Sequence, residues 1–229
     1  PFGRRRYPRR KAHWIISALR HRAAELGPRA EIRRGETYHE VLGGLDASVV
    51  NPTSWGLRAL VQDLRESSSL EVLPSRGFVA SEEEFGQWAS AQTKRLLMEN
   101  FYRHQRRQTG ILMVSGASGE LEPEGGQFNF DHDNREPPPK GQDTLGVEAP
   151  WYPVEDEIDR EVREYLDGLE ASGEVRFLGA DGPRLFPATR AEAVQALEHF
   201  VSTRLSTFGP HEDAAMQGDW AMSHSLLSP

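Results

Sequence analysis

Two runs in the sequence set metal-capable side chains next to one another: Asp131-His132-Asp133 and His211-Glu212-Asp213. Neighbouring residues diverge in space, and neither run has a His or carboxylate three or four positions on along a helical pattern. Neither is therefore assigned as a ligand set, and no metal site is expected. Glu82-Glu83-Glu84 follows Ser81 and reads as a capping box with favourable helix-dipole charge, not as a cation site. No nucleophile elbow, phosphate-binding P-loop, HExxH or dinucleotide-type GxGxxG pattern occurs. With no cysteine, the chain has no thiol catalysis, disulfide framework, cysteine-ligated zinc or iron–sulfur ligand. Scattered Ser, His and Asp residues could meet as a triad only in space, which a sequence does not show. No catalytic residue is assigned.

The elements that would position any site come from 229 residues with 27 Lys+Arg, 35 Asp+Glu and 8 His, enough chain for one large or two small domains with a real core. Twenty aromatic residues argue against wholesale disorder. The apolar runs are too short for a membrane span or a signal-peptide core, so a cytoplasmic protein that does not enter membranes is expected. Charge is uneven. Residues 1–34 carry a net +9 and the remainder −17. The basic start (Arg4, Arg5, Arg6, Arg9, Arg10, Lys11) is compatible with phosphate contact or with a solvated helix entry, and the acidic remainder argues against a general nucleic-acid surface.

Residues 11–26 place Trp14, Ile15, Ala18, Leu19, Ala23 and Leu26 on one helical stripe that Gly27-Pro28 ends. Short strands are predicted at 30–33, 47–50 and 70–73, with helices at 38–45 and 53–66, the latter capped by Thr53 with the stripe Trp55, Leu57, Leu60, Val61 and Leu64. Alternating helix and strand predicts a parallel sheet covered by the helices at 11–26 and 53–66. Helices follow from Ser81 and over 94–112. Gly and Pro then interrupt residues 116–150, within which Gln127-Phe128-Asn129-Phe130-Asp131 alternates polar and apolar and is expected to dock both rings. Helices return at 154–171 and 190–206, the second behind a Thr189…Glu192 capping box.

Tyr7-Pro8-Arg9-Arg10-Lys11 leading to Ser17-Ala18-Leu19-Arg20-His21 resembles the "HHKxK…SAMRHF" helix of the cryptochrome/photolyase family, in its bacterial photolyase-related branch of iron–sulfur cryptochromes and (6-4) photolyases. Further matches fall in the family's order. Asn51-Pro52-Thr53-Ser54-Trp55 resembles "TEPxxW", and Phe78 to Ala89 resembles "FLCSxxEFxxWA". Met98 to Arg103 resembles "RMExFYR", and Arg107 to Met113 resembles "RRTGxLM". Gly125 to Arg135 resembles "GGxWNFDxxNR", and Ser223 to Pro229 resembles "HSLLSP". Phe128 replaces a Trp, Arg9-Arg10 a His pair and Ala80 a Cys.

The resemblance implies an α/β fold: an incomplete Rossmann-like parallel-sheet antenna domain at 1–115, an interdomain linker at 116–152, and at 153–229 the first helices of an all-α flavin-binding domain. Pro1 in place of Met, and an end that leads toward a further element, read as a fragment of a longer chain. Family membership implies FAD, a ribityl-lumazine antenna and, beyond this chain, a [4Fe–4S] cluster. It also implies damaged DNA as partner through the remainder of the flavin domain, and a monomer. Carried over by position, the flavin phosphate and ribityl contacts are Ser225 and Ser228, with backbone contacts at Leu226 and Leu227. Hydroxyls and backbone N–H groups at a helix start suit a pyrophosphate, and Pro229 suits that helix's first turn. Without the family pattern, Ser228 would be a plain N-cap. Three functions stay open: a light-driven (6-4) photolyase, a flavin photoreceptor without repair, and an unrelated nucleotide-binding or interaction module.

Overall fold

The computed structural model describes residues 6–75, 77–216, 222–225 and 227. Its elements are α1 (Arg9–Leu26), α2 (Tyr38–Leu42), β1 (Asp46–Val50), α3 (Trp55–Ser67), β2 (Ser69–Leu73), α4 (Glu82–Ser90), α5 (Met98–Thr109), β3 (Met113–Ser115), β4 (Leu121–Pro123), α6 (Glu157–Ala171), α7 (Arg190–Thr203) and α8 (Leu205–Phe208). The chain divides into two compact units, Arg33–Phe130 and the pair of segments Pro1–Ile32 and Asp131–Pro229. The class is mixed helix and strand with a small parallel sheet, compatible with α/β. Among the described residues no helix is long and apolar enough to cross a membrane.

In the 33–130 unit, β1 and β2 pair in parallel from Asp46↔Ser69 to Val50↔Leu73, and the Asn51 N–H extends the ladder to Leu73 O at 2.8 Å. Parallel neighbours need a crossover, which α3 provides. Leu64, 2% exposed, is the buried anchor of that helix, whereas Trp55 at its start is 85% exposed. The cap of α3 is Ser54, whose Oγ accepts from Leu57 N at 3.3 Å, and not Thr53 as predicted. The third strand, expected at 30–33, does not form. Ile32 is 61% exposed, so the run has no buried face to stabilise a strand.

Ser81 and Glu84 form the predicted capping box of α4, which packs on α5 through Phe85, Trp88 and Phe101, with the Phe85 and Trp88 rings each 5.0 Å from Phe101. A short antiparallel hairpin, β3–β4, lies where only irregular chain was predicted.

In the other unit, α1 packs against α6. Ala12, Val162, Leu166 and Phe177 form the core, flanked by Tyr7, Ile16, Ile158, Tyr165, Leu169 and Val175. The buried face of α1 is not the predicted apolar stripe. It is Arg9, Ala12, His13, Ser17 and His21, while Leu19 is 65% exposed. The cause is charge complementarity with α6. Arg9 pairs with Asp167 and Glu170 and lies 3.5 Å from Asp181, and His13 Nε2 lies 3.0 Å from Asp159 O. Trp14 uses its indole N–H on Pro187 O at 2.8 Å.

At the start of α6, Asp156 and Asp159 make a reciprocal capping box. Arg184, 4% exposed, donates to both oxygens of the fully buried Asp159 at 3.0 Å and to Glu192 at 2.8 and 2.9 Å. Burial alone would push the Asp159 and Glu192 carboxyls up, but the Arg184 guanidinium outweighs burial and holds both below the ordinary carboxylate range. Glu192 also closes the predicted Thr189 capping box of α7. On α7, Ala196 and Phe200 are buried, whereas Leu197 and Val201 are exposed.

Candidate functional site

Ligands of open parallel sheets bind beyond the carboxyl ends of the strands. At that end of β1 and β2 lies a cavity of about 570 Å³, lined by Asn51, Thr53, Arg58, Pro74, Ser75, Phe78, Ala80, Ser81, Glu82, Glu83, Phe85 and Phe101. The chain turns there because Pro52 cannot continue the ladder. Arg58, one turn into α3, donates through Nε to Pro52 O at 2.7 Å, pairs with Glu82, and lies over the Trp55 ring at 5.6 Å. One guanidinium thus ties the turn after β1 to the start of α4. The cavity mixes aromatic walls with Asn, Thr, Ser and Arg, a composition suited to a planar ligand carrying polar groups. Sequence reading had Asn51-Pro52 as a strand end and Thr53 as a cap. Their place at the carboxyl edge of a parallel pair was the signal that marks them as lining residues.

The predicted flavin contacts fall in the other unit. Leu226 and Ser228 lie outside the described residues; Ser225 and Leu227 are half-buried. The segment before them is fixed by Arg204, 1% exposed, which donates to Met222 O, to His224 O at 3.1 Å and to Glu148 O at 2.6 Å. Ser223 Oγ bonds Thr207 Oγ1, His224 Nε2 bonds Ala214 O at 3.1 Å, and the His224 ring meets Phe208 edge-on at 6.5 Å. Among the described residues no side chain hydrogen-bonds Ser225. Arg204 thus fixes the backbone on either side of Ser223, just before Ser225. Sequence reading missed Arg204, because nothing local marks an arginine whose partners are 18 to 56 residues away.

Of the two rings expected to dock, Phe128 does and Phe130 does not. Arg103, Arg106 and Arg107 of α5 stand 5.2, 5.4 and 4.8 Å from the Phe128 ring. Arg106 Nη1 and the Tyr102 hydroxyl donate to Phe128 O at 2.9 and 2.8 Å. Asn129 donates to the Glu99 carboxylate at 3.0 Å and not to the loop backbone. Phe130 remains 41% exposed, resting on Gly125, where a Cβ would come within 2.9 Å of the ring. The two metal-capable runs remain unassigned: His132 pairs with Asp133 at 3.0 Å, and the 131–136 loop meets the 209–214 turn through Asn134–Glu212 at 3.1 Å and His211 Nδ1–Glu136 O at 3.3 Å.

Residues 37–176 match the family model described as deoxyribodipyrimidine photo-lyase-related protein. The chain is 34% identical over 240 aligned positions to the (6-4) photolyase of Agrobacterium fabrum, an alignment that covers 96% of this chain and 44% of that protein. The chain therefore spans under half the length of the curated relative it matches. The match to the family model takes in β1, α3, the cavity beyond the strands, the Phe128 loop and α6; five of the seven motif stretches read from the sequence lie inside it, and those at 7–21 and 223–229 lie outside. The chain belongs to the deoxyribodipyrimidine photo-lyase-related protein family.

Proposed function

We propose that this chain serves a flavin-dependent, light-driven DNA photolyase of the (6-4) type, a carbon–carbon lyase acting on pyrimidine–pyrimidone lesions. The observation that carries this reading is the identity running over 96% of the chain to a protein named (6-4) photolyase. The antenna domain expected at 1–115 is here the 33–130 unit, with the cavity beyond β1 and β2 as one wall of a ribityl-lumazine site, while α1 packs on α6. Residues 116–152 are the linker and 153–229 the start of the flavin domain. A four-cysteine [4Fe–4S] cluster would be ligated by residues outside this cysteine-free chain.

In this reading Ser225 and Ser228, with the backbone of Leu226 and Leu227, hold the FAD phosphates, and Arg204 keeps that segment in place. When bound, reduced flavin supplies the light-driven electron to a lesion flipped out of the duplex. The residues of this chain contribute binding and orientation and take no proton or covalent step.

The test uses the full-length protein with Ser225→Leu and Ser228→Leu combined. Bulky apolar groups at a phosphate site remove donors and volume together, so visible flavin absorbance per folded protein should fall at least tenfold. Unchanged flavin occupancy in a folded double variant would move the phosphate site elsewhere. A flavin photoreceptor without repair is the alternative, and it parts from the photolyase at the lesion assay described below.

A further inference from the structure

Near the C-terminal end of α1, His21 stands one turn after Ser17 and its Nδ1 lies 2.7 Å from Ser17 O. Only an N–H at Nδ1 can make that bond, because the carbonyl is an acceptor. In neutral imidazole this leaves the lone pair on Nε2, which faces Asp156 Oδ2 at 3.1 Å. A lone pair and a carboxylate oxygen do not sit at that distance without a proton or a cation between them. The same pattern, a ring nitrogen oriented by a backbone carbonyl, is how proteins aim a histidine at a metal.

Asp156 and Asp159 flank the site on the first turn of α6, and one ligand atom from each of His21, Asp156 and Asp159 lies within 4.8 Å of the others. A second observation points the same way. Ser17 is fully buried, and its Oγ has no hydrogen-bond partner of proper geometry, although it is near enough to Asp159 to favour the charged carboxylate. The carboxylates of Asp156, Asp159 and Glu192 outnumber the Arg184 guanidinium that pairs with two of them. The Asp156 side chain is 55% exposed, so the cluster opens to solvent on one side.

We propose that His21, Asp156 and Asp159, with Ser17 Oγ beside them, bind a first-row divalent cation of the zinc or manganese type that clamps the end of α1 to the start of α6. Nitrogen with carboxylate oxygen suits these ions, where calcium and magnesium take oxygen alone. The site is independent of the flavin segment.

The test titrates the untagged full-length protein, freed of exchangeable divalent metal, with ZnCl2 by calorimetry and locates the ion by anomalous diffraction at the zinc edge. Two variants run alongside: His21→Gln, and Asp156→Ser, which removes a ligand but keeps a helix cap. One saturable site, an anomalous peak between His21 and Asp156, and at least tenfold weaker binding in each folded variant are expected. Absence of saturable binding would assign the contact to an imidazolium–carboxylate pair and overturn the proposal. So would a peak at other histidines, or equal affinity in the variants.

Discussion

Arg106 concentrates the chemistry of the Phe128 loop in one side chain. It is 6% exposed and donates to Ile111 O, Leu112 O and Phe128 O, and to the Tyr102 hydroxyl. Arg106→Leu keeps much of the bulk but removes four hydrogen bonds; Phe128 O keeps the Tyr102 hydroxyl and Leu112 O the Glu124 N–H, so only Ile111 O loses its one donor. It should destabilise the protein by about 1–3 kcal/mol, the cost of one polar group left unpaired. Denaturant unfolding measures this, and a loss below about 0.5 kcal/mol, the size of an ordinary surface substitution, would show the loop held by the ring contacts alone. Asp159 and Glu192 make a second prediction. Their folded carboxyls titrate below the unfolded ones, so the unfolded state takes up protons first as pH falls. Stability should therefore be full above the unfolded carboxylate range, at about pH 4–5, and decline as pH drops below about 4. In Arg184→Met burial pushes both carboxyls above their unfolded range, so the folded state takes up protons first and the contribution changes sign: the variant should lose most stability near neutral pH and regain part of that loss as pH falls; identical pH profiles would contradict the role given to Arg184.

At the scale of elements, the ends of helices were read more securely than their faces. Ser81…Glu84 and Thr189…Glu192 are capping boxes in the sequence and in the structure, since both bonds form within four residues. Ser81→Ala should cost about 1 kcal/mol in thermal unfolding, the usual worth of an N-cap hydroxyl, and a neutral result would mean that α4 is held by its aromatic contacts alone. Gly27 ends α1 at φ +56° and ψ −129°, with its N–H turned back to Ala23 O and Ala24 O. Nothing crowds a Cβ there, so Gly27→Ala should cost only the backbone term, about 1–3 kcal/mol. The faces were less legible. A hydrophobic stripe marks one side of α1, but the side that is buried carries Arg9, His13, Ser17 and His21, whose acidic partners lie more than 130 positions away. Periodicity registers apolar spacing and does not register a distant complementary charge. The strand at 30–33 failed for the converse reason: its alternation was real, but Ile32 found no surface to cover.

For the whole molecule, the order of motifs outweighed any single one. The NPTSW stretch is legible in the sequence as a strand end and turn and Phe128 as a docked ring, but the cavity that Asn51 and Thr53 line and the exposure of Phe130 are not. Nor is the cluster of His21, Asp156 and Asp159, because residues 135 apart are joined only by folding. The core at α1 and α6 is small, and Leu166→Ala should cost about 2–5 kcal/mol as its cavity opens. Light-driven (6-4) repair is the central claim, and it belongs to the full-length protein. Its most direct test incubates that protein, reduced and flavin-loaded, with an oligonucleotide carrying one (6-4) pyrimidine–pyrimidone lesion, under blue light and in darkness, and measures the intact dinucleotide by chromatography. Restoration in light, with none in darkness and none in the Ser225→Leu/Ser228→Leu variant, is predicted. A folded, flavin-loaded protein that leaves the lesion unchanged under illumination would contradict the account and mark the chain as part of a photoreceptor.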